Sequence, residues 1–247
     1  GALIASGYYE FKGFDAGPVF SIFGYNEVEG LRLRLGGRTY FGQNDPWRIE
    51  GFGAYGFKDQ KFKYGLSGKV LVSKKNRKIL FGGYRKDIEQ TGASLTNSKD
   101  VLGRNRASSG LITVGANDRL TSIELTTLGY QMEPAKNFVF RVLGSHRTLK
   151  SASETFSLSY YDENGNVKNS IKQSELELGI NFTPGRKTSG YGVERRVING
   201  GDFPSFFLGY TFGLEDVLQS DFDYHRIQGL YTQPWNVGGL GRLYTTI

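Results

Sequence analysis

From Phe62 to Val72 the chain alternates residue by residue, with Phe62, Tyr64, Leu66, Gly68, Val70 and Val72 set against Lys63, Gly65, Ser67, Lys69 and Leu71. Side chains at period two point to opposite faces of an extended strand, so this segment has one apolar face and one largely polar face. The pattern recurs in Leu31, Leu33 and Leu35 around Arg32 and Arg34. It appears again in Leu176, Leu178, Ile180 and Phe182, against Glu175, Glu177, Gly179 and Asn181. The same reading extends, less cleanly, to Ile123-Leu125, Phe138-Phe140-Val142, Phe156-Leu158-Tyr160 and Phe206-Leu208-Tyr210-Phe212.

Turn-forming clusters separate these segments, among them Gln43-Asn-Asp-Pro46, Lys58-Asp-Gln60, Lys74-Lys-Asn-Arg77, Glu133-Pro-Ala-Lys136, Asp162-Glu-Asn-Gly-Asn166 and Thr183-Pro-Gly-Arg186. Counted from Phe14, they leave about twelve strands, no capped helical pattern and no defensible domain boundary. The polar stretch from Glu89 to Arg119 reads as one long loop. Strands of 10 to 14 residues exceed the usual length of about 5–6 in globular proteins and match what crosses a bilayer at a tilt. The expected fold is therefore all-β, an antiparallel transmembrane β-barrel of which residues 1–247 form part. The alternative is a large soluble sandwich or propeller.

Composition decides between readings at three points. The 35 glycines, 15 tyrosines and 18 phenylalanines with only 38% hydrophobic residues suit a sheet whose apolar face is covered by lipid and whose other face stays wet. No run approaches the roughly 18 apolar residues of a membrane helix, the best being residues 2–5 and 206–210. The absence of cysteine excludes disulfides and thiolate chemistry. A net charge of +7 would suit nucleic acid only if clustered, and the basic residues are mostly dispersed; the exceptions are Lys74, Lys75, Arg77 and Lys78 around one turn and the pair Arg195-Arg196. Nucleic acid is not expected as a partner. Gly1-Ala-Leu-Ile-Ala-Ser-Gly7 lacks the basic start of an export signal, and Gly241-Arg-Leu-Tyr-Thr-Thr-Ile247 still reads as strand. The segment is therefore expected to be an interior piece of a longer chain, with further strands completing the barrel.

The stretch Phe23-Gly-Tyr-Asn-Glu-Val-Glu-Gly-Leu-Arg-Leu-Arg-Leu-Gly-Gly-Arg-Thr39 resembles a signature of an uncharacterised family of Gram-negative outer-membrane barrels, in which a carboxypeptidase-regulatory-like domain precedes the barrel. Gly200-Gly-Asp-Phe-Pro-Ser-Phe-Phe-Leu-Gly-Tyr-Thr-Phe-Gly213 and Gln233-Pro-Trp-Asn-Val-Gly-Gly-Leu-Gly241 resemble the same family. The family is distantly similar to the barrel-assembly and two-partner-secretion barrels. The resemblance implies an outer-membrane location, with membrane lipid and other envelope proteins as partners.

Within that picture Arg32, Arg34, Lys63, Lys69, Glu175 and Glu177 face the lumen, while Leu31, Leu33, Leu35, Leu176, Leu178, Ile180 and Phe182 face lipid. An arginine on the lipid face at the bilayer midplane would cost about 2–4 kcal/mol. Glu27 and Glu29 stand near enough in sequence to pair with the arginines. Such a wall would attract anionic or extended polypeptide cargo, or would simply be how a polar lumen is built. Trp47 and Trp235, each read as beginning a strand beside Pro46 or Pro234, suit an interfacial belt.

Motifs for chemistry are weak. Gly51-Phe-Gly-Ala-Tyr-Gly56 matches a dinucleotide-binding pattern but lies inside an alternating strand rather than opening a helix. Asp162, Asn164 and Asn166 imitate a calcium loop, but Val167 replaces its glycine and Gln173 its distal glutamate, so a hairpin turn is the better reading. Glu215, Asp216, Asp221 and Asp223 read as a solvated acidic loop, with a divalent-cation rim the lesser alternative. His146 and His225 show no triad context, so no catalytic residue, metal or cofactor is assigned. Three roles remain: assisting insertion, translocation or assembly of envelope components; a passive or gated channel; or an anchor for an accessory domain or partners.

Overall fold

A computed structural model describes residues 7–90, 120–153, 156–162, 164–199 and 203–247. The chain opens with β1 (Tyr9–Phe11), β2 (Gly13–Ala16), β3 (Phe23–Asn26), β4 (Gly30–Tyr40), β5 (Trp47–Gly56), β6 (Phe62–Ser73) and β7 (Lys78–Gln90). It continues with β8 (Leu120–Ala135), β9 (Phe138–Ser151), β10 (Tyr160–Tyr161), β11 (Val167–Lys168) and β12 (Ser170–Phe182). The last strands are β13 (Thr188–Ser189), β14 (Arg196–Val197), β15 (Ser205–Gly213), β16 (Tyr224–Asn236) and β17 (Arg242–Thr246). Most of the region expected as a long loop, residues 91–119, lies outside the described residues, while Glu89 and Gln90 complete β7.

One antiparallel sheet of thirteen strands runs β1-β2-β4-β5-β6-β7-β8-β9-β12-β15-β16-β17, with β3 beside β4. Its described path is open, with β1 and β17 at the edges. Two small hairpins, β10-β11 and β13-β14, decorate the connections flanking β12. The strand expected at Phe156-Leu158-Tyr160 reduces to Tyr160–Tyr161, because its only ladder partner is the two-residue β11 across a tight turn.

The polarity of the sheet is inverted relative to a water-soluble fold. Among the described residues, buried charged side chains outnumber buried apolar ones, and the buried apolar cluster contains only Phe52 and Ala54. Large apolar side chains crowd the convex face instead: Leu35 is 62% exposed, Leu66 59%, Leu128 71% and Ile227 72%. The register aligns these faces from strand to strand: Arg34 lies opposite Ala54, Ala54 opposite Lys63, and Gly65 opposite Arg85.

Aromatic side chains bracket the aliphatic band. At one end Phe41 packs on Trp47 with centroids 5.7 Å apart, and Phe138, Phe182, Phe206 and Tyr231 form a chain at 6.4, 6.2 and 4.6 Å. At the other end Tyr55 meets Phe57, Tyr64 lies between Phe62 and Tyr84, and Tyr210 meets Phe212. Trp47 and Tyr55 occupy opposite ends of β5 on one face, so the rows lie about 26 Å apart along the strand at roughly 3.3 Å per residue. Trp235 sits at the end of β16, one residue after Pro234, rather than at the start of a strand. It remains exposed because its neighbour across the ladder, Leu243, belongs to the edge strand β17.

One segment reverses the expected faces. Ile123 and Leu125 are buried on the concave side, opposite Asp87 and Arg85, while Glu124 projects outward to Lys86 at 2.9 Å. Here β7 and β8 run past the aromatic row of Tyr64 and Tyr84, beyond the apolar band, and the polar side chains turn outward while the apolar ones turn inward.

Close strand packing explains one glycine directly. A Cβ at Gly83 would lie 2.6 Å from the Leu66 carbonyl and 2.8 Å from the Ser67 Cβ. Gly83→Ala is expected to destabilise the folded sheet by about 1–3 kcal/mol, read as a lowered midpoint of denaturant unfolding. Gly229→Ala, where an added Cβ meets nothing within 4 Å, should leave the midpoint nearly unchanged.

Candidate functional site on the concave face

Two groups of charges line the concave face. The first is anchored where the chain enters β4. Asn26 Oδ1 accepts from the backbone nitrogens of Val28 at 3.1 Å and Glu29 at 2.8 Å, and its Nδ2 donates to Glu29 Oε2 at 2.7 Å. This side-chain turn fixes Glu29, which is fully buried, toward the sheet interior. Arg32 then donates to Asp87 through both terminal nitrogens, at 2.7 and 3.1 Å, and to Glu29 at 3.2 Å. Lys63 Nζ bridges Glu29 and Asp59, at 2.6 Å each. Of the two glutamates expected to pair with the arginines, Glu29 does so; Glu27 is exposed, and its carbonyl accepts from Lys58 Nζ at 2.6 Å.

The Arg32–Asp87 pair also reports curvature. It joins β4 to β7, three strand spacings away, which is about 14 Å in a flat sheet with side chains standing perpendicular to it. Convergence to a bidentate pair requires the sheet to curl around its charged face. The network continues along the wall with Arg85–Glu89 at 2.7 Å, Arg141–Glu177 at 2.6 Å, and Glu175 held by Arg147 and by the hydroxyl of Tyr224. Arg34 lies 3.9 Å over the Phe52 ring.

The second group is completed by the connection between β12 and β15, which crosses the concave face as a strap. Val193 N donates to the Asp45 carbonyl at 2.8 Å, Tyr191 N to Asn44 Oδ1 at 2.9 Å, and Gln43 Nε2 to the Ser189 carbonyl at 3.1 Å. Glu194 pairs with Arg48 and with Lys69, the latter at 2.5 Å. Arg77 donates to the carbonyls of Gly192 at 2.7 Å and Val193 at 3.1 Å, and Arg195 pairs with Glu133. The strap comes so close to the β4–β5 turn that a Cβ at Gly192 would sit 2.6 Å from the Asn44 carbonyl carbon. Burial alone would raise the Glu194 carboxyl, but the cations of Lys69 and Arg48 outweigh it and hold the group below the usual carboxylate range.

Arg32, Arg34, Lys63, Lys69, Glu175 and Glu177 thus all lie on the concave face, with Lys69 the most exposed of them. Leu31, Leu33, Leu35, Leu176, Leu178, Ile180 and Phe182 all lie on the convex one. Sequence reasoning missed Asp87, Arg48 and Glu194. Arg48 was findable from its alternation with Trp47 and Ile49, whereas the strap carries no periodic signal.

Gly51 to Gly56 lies within β5. The β9–β12 register places Ser174 opposite His146, with Nδ1 and Oγ 2.9 Å apart, a contact that sequence separation hid. Ser174 Oγ donates to the Val217 carbonyl at 2.6 Å, so its proton is already committed. Asp162 Oδ1 accepts from the backbone nitrogens of Asn164 and Asn166 and closes the β10–β11 hairpin. Asp221 accepts from Lys168 Nζ at 2.8 Å and from Lys172 N at 2.7 Å.

Two outcomes follow from this geometry. Asp87→Asn should cost about 3–5 kcal/mol of stability, because it leaves buried Arg32 with only Glu29, a carboxylate that Lys63 already shares, to balance its charge; a double-mutant cycle with Arg32→Met measures the coupling by denaturant unfolding. Glu194→Gln should release the strap, seen as faster motion of a spin label at Tyr191. Because the Glu194 carboxyl is depressed, strap docking is fully supported above the ordinary carboxylate value of about 4.3. It is lost only as pH falls through the lower, folded-state value. Label mobility in the parent protein should therefore stay flat from neutral pH to about 5 and rise on further acidification, and Glu194→Gln should remove that dependence.

Residues 147–247 match a family of unknown function (DUF5686), in its C-terminal domain. No curated protein and no solved structure matches the chain.

Proposed function

We propose that this chain is wall material of an outer-membrane β-barrel whose charged, strapped lumen assists insertion, translocation or assembly of envelope components. The observation that carries the reading is the inverted polarity: an apolar convex band between two aromatic rows, over a concave face of buried ion pairs. Lipid is the solvent in which such a surface is stable, and closed barrels are the β-structures that lipid tolerates. On this reading the open edges at β1 and β17 meet further strands. The assembly role rests on the resemblance to barrel-assembly and two-partner-secretion barrels. It is also supported by the concave wall, whose alternating acidic and basic groups suit an extended polypeptide better than one kind of ion.

A channel is the second reading, favoured by the polar concave face alone. The strap crosses that face, so an open pore would require it to move. Depletion of the protein followed by an inventory of outer-membrane proteins separates the readings. Loss of particular barrel or secreted proteins is expected, and an unchanged inventory contradicts the assembly role. Steady single-channel conductance in planar bilayers, unaltered by Glu194→Gln, would favour an open channel.

A further inference from the structure

The two basic runs noticed in the sequence, around Arg77 and at Arg195-Arg196, are more than a hundred residues apart, yet the fold brings them to one mouth of the curled sheet. Arg77 and Arg195 share the carboxylate of Glu133, with Arg77 Nε at 3.7 Å. Beside them is a polar cavity of about 470 Å³, formed by the β6–β7 turn, the β8–β9 turn and the strap. Arg77, Lys136, Lys187 and Arg195 line it, against Glu133 as its one acidic group. Asn137 ties the β8–β9 turn to the strap, its Nδ2 donating to the Arg186 carbonyl at 2.8 Å, so the cavity walls are mutually braced.

The positive charge there is under-compensated. Burial, and then repulsion from Arg195 that Glu133 offsets only in part, hold the Arg77 guanidinium below its ordinary value, with Arg186 adding to the repulsion. Arg186 Nε is buried without a hydrogen-bond partner among the described residues. Four cations thus face one carboxylate, Lys136 and Lys187 from solvent-exposed positions, and this local excess of positive charge attracts an anion. Guanidinium and ammonium groups converging from three chain segments match an oxyanion with several acceptor oxygens better than a planar carboxylate. The volume falls in the range of small-ligand sites, about 300–1,000 Å³.

We infer that this cavity binds a phosphoryl group, carried either by a free phosphorylated molecule or by a phosphorylated lipid headgroup. Lys136 and Lys187 supply charge to it, and Arg195 connects it to the strap. Occupancy therefore also fastens the strap to the β8–β9 turn.

The test is calorimetric titration of inorganic pyrophosphate into the purified protein, held in an uncharged detergent at low ionic strength. Saturable binding at or below millimolar concentration is expected. It should weaken at least tenfold in Lys136→Gln/Lys187→Gln, which leaves the ion pairs of Glu194 and Glu133 in place. Lys136→Arg/Lys187→Arg, which keeps the charge, should retain binding and controls for folding. Short-chain phosphatidylglycerol, compared with phosphatidylcholine, forms the second arm. Displacement of pyrophosphate by phosphatidylglycerol alone assigns the site to a lipid headgroup, and failure to displace assigns it to a free phosphorylated molecule. Absence of saturable pyrophosphate binding, or binding unchanged in the glutamine variant, overturns the inference whether or not the protein forms a membrane barrel.

Discussion

Charge neutralisation on the concave face is the constraint on which the rest of this structure depends. Arg32, Asp87, Glu29 and Lys63 are each almost wholly shielded from solvent, and a buried ion left without its partner is worth several kcal/mol of instability. Each must therefore find a complement, and beside the local pairs Arg32–Glu29 and Lys63–Asp59 the pairing extends across strands. Arg32 reaches from β4 to β7, and Glu194 reaches from the strap to β5 and β6. These pairs are compatible only with a sheet that curls.

Curvature in turn sets demands on the backbone and on the opposite face. Strands that bend tightly around charged side chains need positions with no side chain, as at Gly83, and the strap needs one at Gly192 to lie against the β4–β5 turn; at both, neighbouring backbone fills the space a Cβ would take. Within the apolar band, turning the charged side chains inward leaves Leu, Ile, Phe and Tyr outward, on an extensive exposed surface. The aromatic rows are where such a surface would pass from hydrocarbon to headgroups. One arrangement of ion pairs thus accounts for the curl, the glycines and the exposed apolar band.

How much was legible in the sequence depended on whether a residue lay in an alternating run. Arg32 and Leu33, or Glu177 and Leu178, were assigned to faces because period two is a local property that the ladder preserves. Ile123 and Leu125 show the limit of that signal, because alternation gives two faces without saying which one turns inward, and here the apolar face does, opposite Asp87 and Arg85. The strap was invisible for a different reason. Residues 183–199 have turn-like composition and no period, and their docking depends on contacts with Asn44, Asp45 and Arg77, more than a hundred residues earlier. The pairing of His146 with Ser174 was likewise a product of strand register.

The central claim is that the convex face meets lipid and the concave face meets water. Site-directed spin labels in the protein reconstituted into phospholipid bilayers test it most directly, by comparing collisional access to oxygen with access to a water-soluble nickel chelate. Labels at Leu33, Leu178 and Phe182 should favour oxygen, and labels at Arg34, Glu177 and Asn181 should not. Equal access to the nickel chelate at both sets of positions would contradict the account.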